Sequence, residues 1–178
     1  EIDLRAGDSG VTRTGRWGAN IGAPLQLAPL RLPDVVPDGV GRIEGELRLS
    51  GTRAEPVLDA ELDARELDWP GLAARTLTLR AALESESLRL DVDAAGGELA
   101  GQPFDALRLD LSGRRAQHAL RLDLDGPVAA LELALEGALG DSGWRGQLES
   151  LRITPQERQP WTLQQSAALA FDPERGRF

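Results

Sequence analysis

Leucine alternates with charged residues in segment after segment of this 178-residue chain. In the stretch GRIEGELRLSGTRAEPVLDAELDAREL, residues 41–67, Leu47 and Leu49 flank Arg48, and the same pattern resumes at Leu58 after the sequence SGTRAEP. A period of two puts alternate side chains on opposite faces of a strand, whereas a helix would spread these leucines around its circumference. The pattern therefore predicts strands that have one apolar face and one charged face.

The same alternation recurs at residues 77–83, 88–93, 107–112, 120–125 and 131–136. We group the alternating apolar positions of all these segments under one name, the apolar set. Its members are Leu47, Leu49, Leu58, Leu62, Leu77, Leu79, Leu83, Leu88, Leu90, Val92, Leu107, Leu109, Leu111, Leu120, Leu122, Leu124, Leu131, Leu133 and Leu135.

Turn-forming sequences separate the predicted strands: SGTRAEP, AGGELAGQP, SGRRAQ, DGP, GDSG and TPQERQP. The DGP link between Leu124 and Val128 is short enough for a hairpin, which predicts antiparallel neighbours. Leucine, alanine, glutamate and arginine favour helix by propensity, but the period of two decides for strands, and no segment resembles a crossover helix. We therefore predict an all-β fold in one segment, residues 1–178, with no internal domain boundary.

Two parts of the chain fit the strand pattern less well. The alternation is less regular over residues 64–76. The proline-rich residues 24–41 are expected to form an irregular connection or an edge, where proline is tolerated.

Composition excludes several classes of function. Acidic residues (29) outnumber basic ones (20), and the net charge of −9 argues against a nucleic-acid partner, which needs a basic patch. The chain has no cysteine, so it has no disulfide, thiolate metal site or cysteine nucleophile. It begins with Glu1 and contains no methionine, and we expect it to be a piece of a longer protein.

No motif points to catalysis. His118, the single histidine, is predicted to be an exposed turn residue before a strand, since it has no second histidine or cysteine with which to bind zinc. The carboxylates share the alternating face of the arginines, which indicates a solvated surface and not a glycosidase pair in a cleft. GDSG, at residues 7–10 and 140–143, resembles a protease nucleophile loop without its histidine and is predicted to form turns. We expect no enzyme, no metal and no cofactor.

Four tryptophans stand close to glycine or proline at the margins of predicted strands: Trp17, Trp69, Trp144 and Trp161. We interpret them as residues that plug sheet edges or cap the core, where the indole N–H still finds a partner. The alternative role is contact with a ligand or a membrane interface.

Residues 144–171, WRGQLESLRITPQERQPWTLQQSAALAF, resemble a pattern of the TamB family of AsmA-like proteins from Gram-negative bacteria. In that pattern a tryptophan-glycine-leucine strand is followed by a loop and a second tryptophan that opens W-x-L. Residues 41–69 are similar to the LSGT…P…G strand pairs of the same family, with Ala60 where glycine is expected. The positions that match the first pattern are Trp144, Gly146, Leu148, Leu151, Trp161 and Leu163.

The resemblance implies a β-taco: an elongated, mostly antiparallel curved sheet that forms a hydrophobic trough. It implies a periplasmic protein whose inner-membrane anchor lies outside this segment. Its implied role is to carry phospholipid between the inner and outer membranes, or to assist outer-membrane protein assembly with the barrel protein TamA. The family has no catalytic residues to transfer.

Physical reasoning on the residues leaves two outcomes open. A sheet with one apolar face must bury it, and the sequence offers no amphipathic helix as a cover. Either the sheet closes on itself and the apolar set is core, or the trough stays open and lines a path for acyl chains. Two other functions compete with lipid carriage: strand addition to nascent β-proteins at the sheet edges, and a carbohydrate-active or adhesive β-solenoid. The β-solenoid is disfavoured by the lack of aromatic platforms and asparagine ladders.

Overall fold

The computed structural model describes residues 23–31, 40–51, 55–84, 86–140 and 143–171. These residues form strands and the turns between them, and they include no helix. The strands are β1 (Ala23–Arg31), β2 (Val40–Gly51), β3 (Pro56–Trp69), β4 (Leu72–Glu84), β5 (Ser87–Leu99), β6 (Gln102–Arg114), β7 (Gln117–Asp125), β8 (Ala129–Gly140), β9 (Gly143–Pro155), β10 (Trp161–Thr162) and β11 (Ala167–Phe171).

All eleven strands belong to one sheet, in chain order from β1 to β10. Neighbouring strands are antiparallel, and β10 and β11 share the outer side of β9. The sheet is open and curved. The predicted all-β antiparallel architecture is therefore confirmed. β1 lies at one edge, as expected for the proline-rich segment, while residues 32–39 lie outside the described residues.

The DGP hairpin is confirmed: Leu124 pairs with Leu131 across it. The prediction of a long turn at AGGELAGQP is wrong, because β5 continues to Leu99 and the turn is Ala100–Gly101 alone. Gly97 belongs to the sheet, where a β-carbon would overlap the carbonyl oxygen of Ala73 on β4. The glycine there serves close strand approach and not a reversal of the chain.

Strands β3 to β6 share one irregular row, which explains the broken pattern over residues 64–76. Four positions, one per strand, are missing from otherwise continuous ladders, and Glu66 and Gly96 among them have φ of 51° and 59°. Residues three apart, such as Ala64 and Leu67, are consequently both buried. The positions in this row are Glu66, Arg75, Gly96 and Asp105.

The fully buried core is small and lies on both sides of that irregular row. Its large side chain is Phe104, which is 2% exposed. Alanines at neighbouring positions leave room for the ring and for two leucines. The buried cluster comprises Ala64, Leu67, Ala74, Ala94, Phe104 and Leu107.

Candidate functional site: one apolar face of the sheet

Residues that face each other directly in an antiparallel ladder project to the same side of the sheet. The pairings from β2 to β9 therefore define four successive rows on one side, which we name rows A to D and together the leucine face. Row A is Leu49, Leu58, Leu83, Leu88, Gly113, His118, Gly137 and Gly146. Row B is Leu47, Ala60, Ala81, Leu90, Leu111, Leu120, Leu135 and Leu148. Row C is Gly45, Leu62, Leu79, Val92, Leu109, Leu122, Leu133 and Leu151, and row D is Ile43, Ala64, Leu77, Ala94, Leu107, Leu124, Leu131 and Ile153.

Every member of the apolar set lies in these rows, so the structure brings the whole set together on one face. The rows also contain Leu148 and Leu151, which sequence analysis assigned only to the family pattern. These two are three residues apart because the β8–β9 register shifts between Ala134 and Leu135. A period of two across residues 148–151 therefore fails to detect them.

The leucine face has no second layer over it in the described part of the chain, which forms a single sheet. Leu107 is buried, and the other members of the apolar set are half-buried. Direct neighbours such as Leu109 and Leu122 cover one another across adjacent strands. Within the described residues the face is thus a continuous aliphatic surface with no second sheet packed on it.

The opposite face carries the charges, as predicted for a solvated surface. The Arg80 Nε donates to Glu61 Oε1 over 3.0 Å, and the Arg108 Nε donates to Asp93 Oδ1 over 2.9 Å. The hydrogen bond to Asp93 and then its negative charge raise the pKa of Arg108. These pairs are solvated and contribute little to stability, but they keep this side of the sheet wet.

Two carboxylates stand directly opposite each other on that charged face, Asp91 on β5 and Asp110 on β6. Burial of the Asp110 carboxyl, its hydrogen bond with Asp91 and the charge of Asp91 raise the pKa of Asp110 above its ordinary value of 3.8. The folded chain therefore holds this proton more tightly than the unfolded chain, and stability falls as pH rises through the folded-state pKa.

We expect Asp110→Asn to stabilise the chain at neutral pH by about 0.2–1 kcal/mol, because it removes a like-charge cross-strand pair. The difference should shrink as pH falls and vanish well below 3.8, where residue 110 is neutral in the parent protein as it is in the variant. Denaturant unfolding at several pH values measures this. Asp91→Asn is the matched control and should gain less, since Asp91 also accepts a 3.0 Å hydrogen bond from Arg89. A stabilisation by Asp110→Asn that is the same at every pH would contradict the prediction.

The prediction that His118 is an exposed turn residue is wrong. It lies within β7, is half-buried, and belongs to row A. Trp144 Nε1 donates a 2.7 Å hydrogen bond to His118 Nε2, and His118 Nδ1 lies 3.2 Å from the Arg114 carbonyl oxygen. Because indole nitrogen only donates, Nε2 accepts and the Nδ1 proton points to that carbonyl. This hydrogen bond joins β7 to β9 across β8, and the local sequence around either residue does not predict it.

Two glycines of row A make room for the Trp144 ring. A β-carbon at Gly137 would overlap the indole, and one at Gly146 would lie 2.6 Å from its Cη2. The indole therefore rests on a floor without side chains at the row A end of β8 and β9. This explains why the leucine pattern gives way to glycine there.

Gly137→Ala is expected to push the indole off this floor, break the bond to His118 and cost about 1–3 kcal/mol of unfolding free energy by overpacking. Chemical unfolding and the indole N–H resonance of Trp144 report the two effects. Gly140→Ala on the same strand is the matched control, because a β-carbon there meets only the Gly143 carbonyl oxygen, at 3.8 Å. A control that costs as much as Gly137→Ala would refute the close contact.

The interpretation of the tryptophans holds for Trp144, whose indole N–H has a partner, whereas the core-capping role is wrong for Trp69 and Trp161. Trp161 is 76% exposed beside Ile153, and Trp69 is 44% exposed, so neither caps the core. Both stand at sheet margins where no further strand covers them among the described residues. Trp17 lies outside the described residues.

The part of the chain that the structure describes contains no group of three or more metal-ligating side chains. It also has no helix that is long and apolar enough to cross a bilayer.

A family model described as "TamB, N-terminal domain" matches residues 1–178. The chain belongs to the TamB family. This confirms the resemblance carried by the tryptophan-glycine pattern. A TamB protein of Haemophilus influenzae, "Translocation and assembly module subunit TamB", is 23% identical over 159 residues. The match covers 86% of this chain and 12% of that relative. No solved structure matches the chain.

Proposed function

We propose that this chain is a lipid-carrying segment of a TamB-type cell-envelope protein, in which the leucine face contacts phospholipid acyl chains on their way between the inner and outer membranes. The observation that carries the proposal is the composition of rows A to D. Across β2–β9 every position is aliphatic or glycine except His118. An uncovered surface of this kind needs an apolar partner.

The chemistry of the face suits conduction. Each buried CH₂ contributes about 0.8 kcal/mol, so an acyl chain that leaves a bilayer needs an unbroken apolar lining. Successive leucines offer equivalent contacts without hydrogen-bonding groups, so a chain that moves along them exchanges one contact for another. Because β10 and β11 share the outer side of β9, the sheet is ten strand positions wide, and at about 4.8 Å between neighbouring strands it extends roughly 43 Å. That exceeds the ~30 Å hydrocarbon core of a bilayer.

Lipid extraction and native mass spectrometry of the intact protein, purified in a detergent-free medium, test the proposal. We expect phospholipid to co-purify and to be displaced by excess free fatty acid. A folded protein with no bound lipid, and no uptake from phospholipid vesicles, would overturn it.

A second function rests on the edges of the sheet. β10 and β11 lie on the outer side of β9 and form an edge of the described sheet. Leu169 on β11 is 43% exposed. The Haemophilus relative is named as a subunit of a translocation and assembly module. Strand addition at this edge would assist assembly of outer-membrane β-proteins together with TamA. Photo-crosslinks to β-barrel precursors that concentrate on β11, and are absent from the leucine face, would favour this function over lipid carriage.

A further inference from the structure

The leucine face is packed differently at the two ends of its strands. We call the strand ends beside row D, with the β3–β4 and β5–β6 turns, the closed rim. The strand ends beside row A, with the β4–β5 and β6–β7 turns, are the open rim. At the closed rim the irregular row brings Leu67 and Phe104 against Ala64 and Leu107, and all four side chains are buried. No comparable buried cluster lies at the open rim among the described residues.

The open rim has a cavity of about 620 Å³ in place of a packed cluster. The backbone N–H of Leu139 donates to the Arg115 carbonyl oxygen over 2.8 Å, which ties the end of β8 to the β6–β7 turn and forms one wall. This size lies within the range of small-molecule sites, roughly 300–1,000 Å³. The side chains that matter for its chemistry are Leu83, Leu88, Leu111, His118, Leu139 and Trp144.

His118 and Trp144 mark the position in this cavity where its apolar lining meets polar surroundings. His118 is the one polar side chain in rows A to D, and its bond to Trp144 satisfies the indole N–H. Rings with an apolar body and a polar tip sit where an apolar medium meets a polar one. The lining of the cavity therefore becomes more polar toward the outside: leucines first, then the two amphipathic rings, then the exposed Glu86 and Arg115 of the adjoining turns.

The depth of the face fits one acyl chain laid along the strands. From row A to row D on β6 is six residues, Gly113 to Leu107, or roughly 20 Å at about 3.3 Å per residue. One leaflet of a bilayer accounts for about half of the ~30 Å hydrocarbon thickness. A phospholipid chain inserted at the open rim therefore ends near the closed rim.

We propose that the open-rim cavity holds the ester-proximal part of a phospholipid acyl chain, with the headgroup outside the β4–β5 and β6–β7 turns and the chain end toward the closed rim. The inference rests on the proposed function and adds an orientation and a specific site. It predicts that Trp144 lies close to the first methylenes of the bound chain and far from its terminal methyl.

Spin-label quenching of tryptophan fluorescence tests this orientation in the 178-residue chain. Trp17→Phe, Trp69→Phe and Trp161→Phe together leave Trp144 as the single emitter. The probes are vesicle-delivered phosphatidylcholines with a doxyl group either next to the ester or at the methyl end of one chain, and bound lipid is quantified by mass spectrometry. We expect the ester-proximal label to quench Trp144 more strongly than the terminal label.

The other possible results distinguish a wrong orientation from a wrong function. Stronger quenching by the terminal label, or no quenching while lipid is bound, overturns the orientation and leaves the proposed function intact. Absence of bound phospholipid overturns the proposed function and the inference with it.

A cavity-filling variant and a matched control test whether the cavity itself holds lipid. Ala116→Phe, in the β6–β7 turn that lines the cavity, is expected to weaken phospholipid binding about tenfold, the loss of about two buried methylene groups. Val128→Phe, at a 62% exposed position between β7 and β8, should leave the affinity unchanged. Equal affinities for both folded variants would show that the cavity holds no lipid.

Discussion

Leu109→Arg combined with Leu122→Glu is expected to abolish phospholipid retention by the intact protein. The two leucines face each other across β6 and β7 in row C, in the middle of the leucine face. Charged groups there must stay hydrated, so an acyl chain that passes over them loses its apolar lining and leaves ions in contact with hydrocarbon. Opposite charges at directly paired positions attract each other, which helps the strands to remain paired.

The matched control places the same two charges on the same two strands but on the charged face. Ser112 and Ala119 are also direct partners across β6 and β7. Ser112→Arg with Ala119→Glu should retain phospholipid like the parent protein. Lipid content by mass spectrometry and fold by circular dichroism are compared for both. Retained lipid in a folded Leu109→Arg/Leu122→Glu protein would contradict the assignment of the leucine face to lipid.

Phe104→Ala is expected to cost about 3–5 kcal/mol of unfolding free energy, the usual loss for a fully buried aromatic side chain. Phe104 is 2% exposed and packs in the cluster with Leu67 and Leu107. Because the rest of the sheet has so little fully buried surface, this one cluster anchors β3–β6. Denaturant unfolding of the 178-residue chain measures the change.

Val128→Ala serves as the control for the Phe104 result. Its side chain is 62% exposed, and its removal should change stability by less than about 0.5 kcal/mol. If Phe104→Ala were as mild as this control, the closed rim would not be a packed core, and the contrast between the two rims would fail.

Periodicity is enough to predict the class of fold and the common face of the apolar set, although it misses Leu148 and Leu151. A period of two needs only local geometry, because adjacent side chains on any strand alternate between the two faces. Antiparallel pairing followed from short turns such as the one between Leu124 and Val128. Leu109 and Leu122 were therefore placed on a common face before their pairing was known.

The features that distinguish one rim from the other could not be predicted from the local sequence, because they depend on how several strands align. The irregular row through Glu66 and Gly96 exists only because four strands break their ladders at the same level. The His118–Trp144 bond depends on the register of three strands, and the two residues are 26 positions apart in the chain. Local sequence predicts a turn at Gly97, although close strand approach is the physical reason for glycine there.

Site-specific photo-crosslinking along β6 tests the central claim most directly. A photoreactive residue is placed in turn at each position from Leu107 to Ser112 of the intact protein, in cells, and attached phospholipid is measured. We predict crosslinks at Leu109 and Leu111, weaker ones at Leu107, which packs in the buried cluster, and none at Arg108, Asp110 and Ser112, a period of two that follows the leucine face. Lipid crosslinks of equal yield at all six positions, or none at the leucines, would contradict the account.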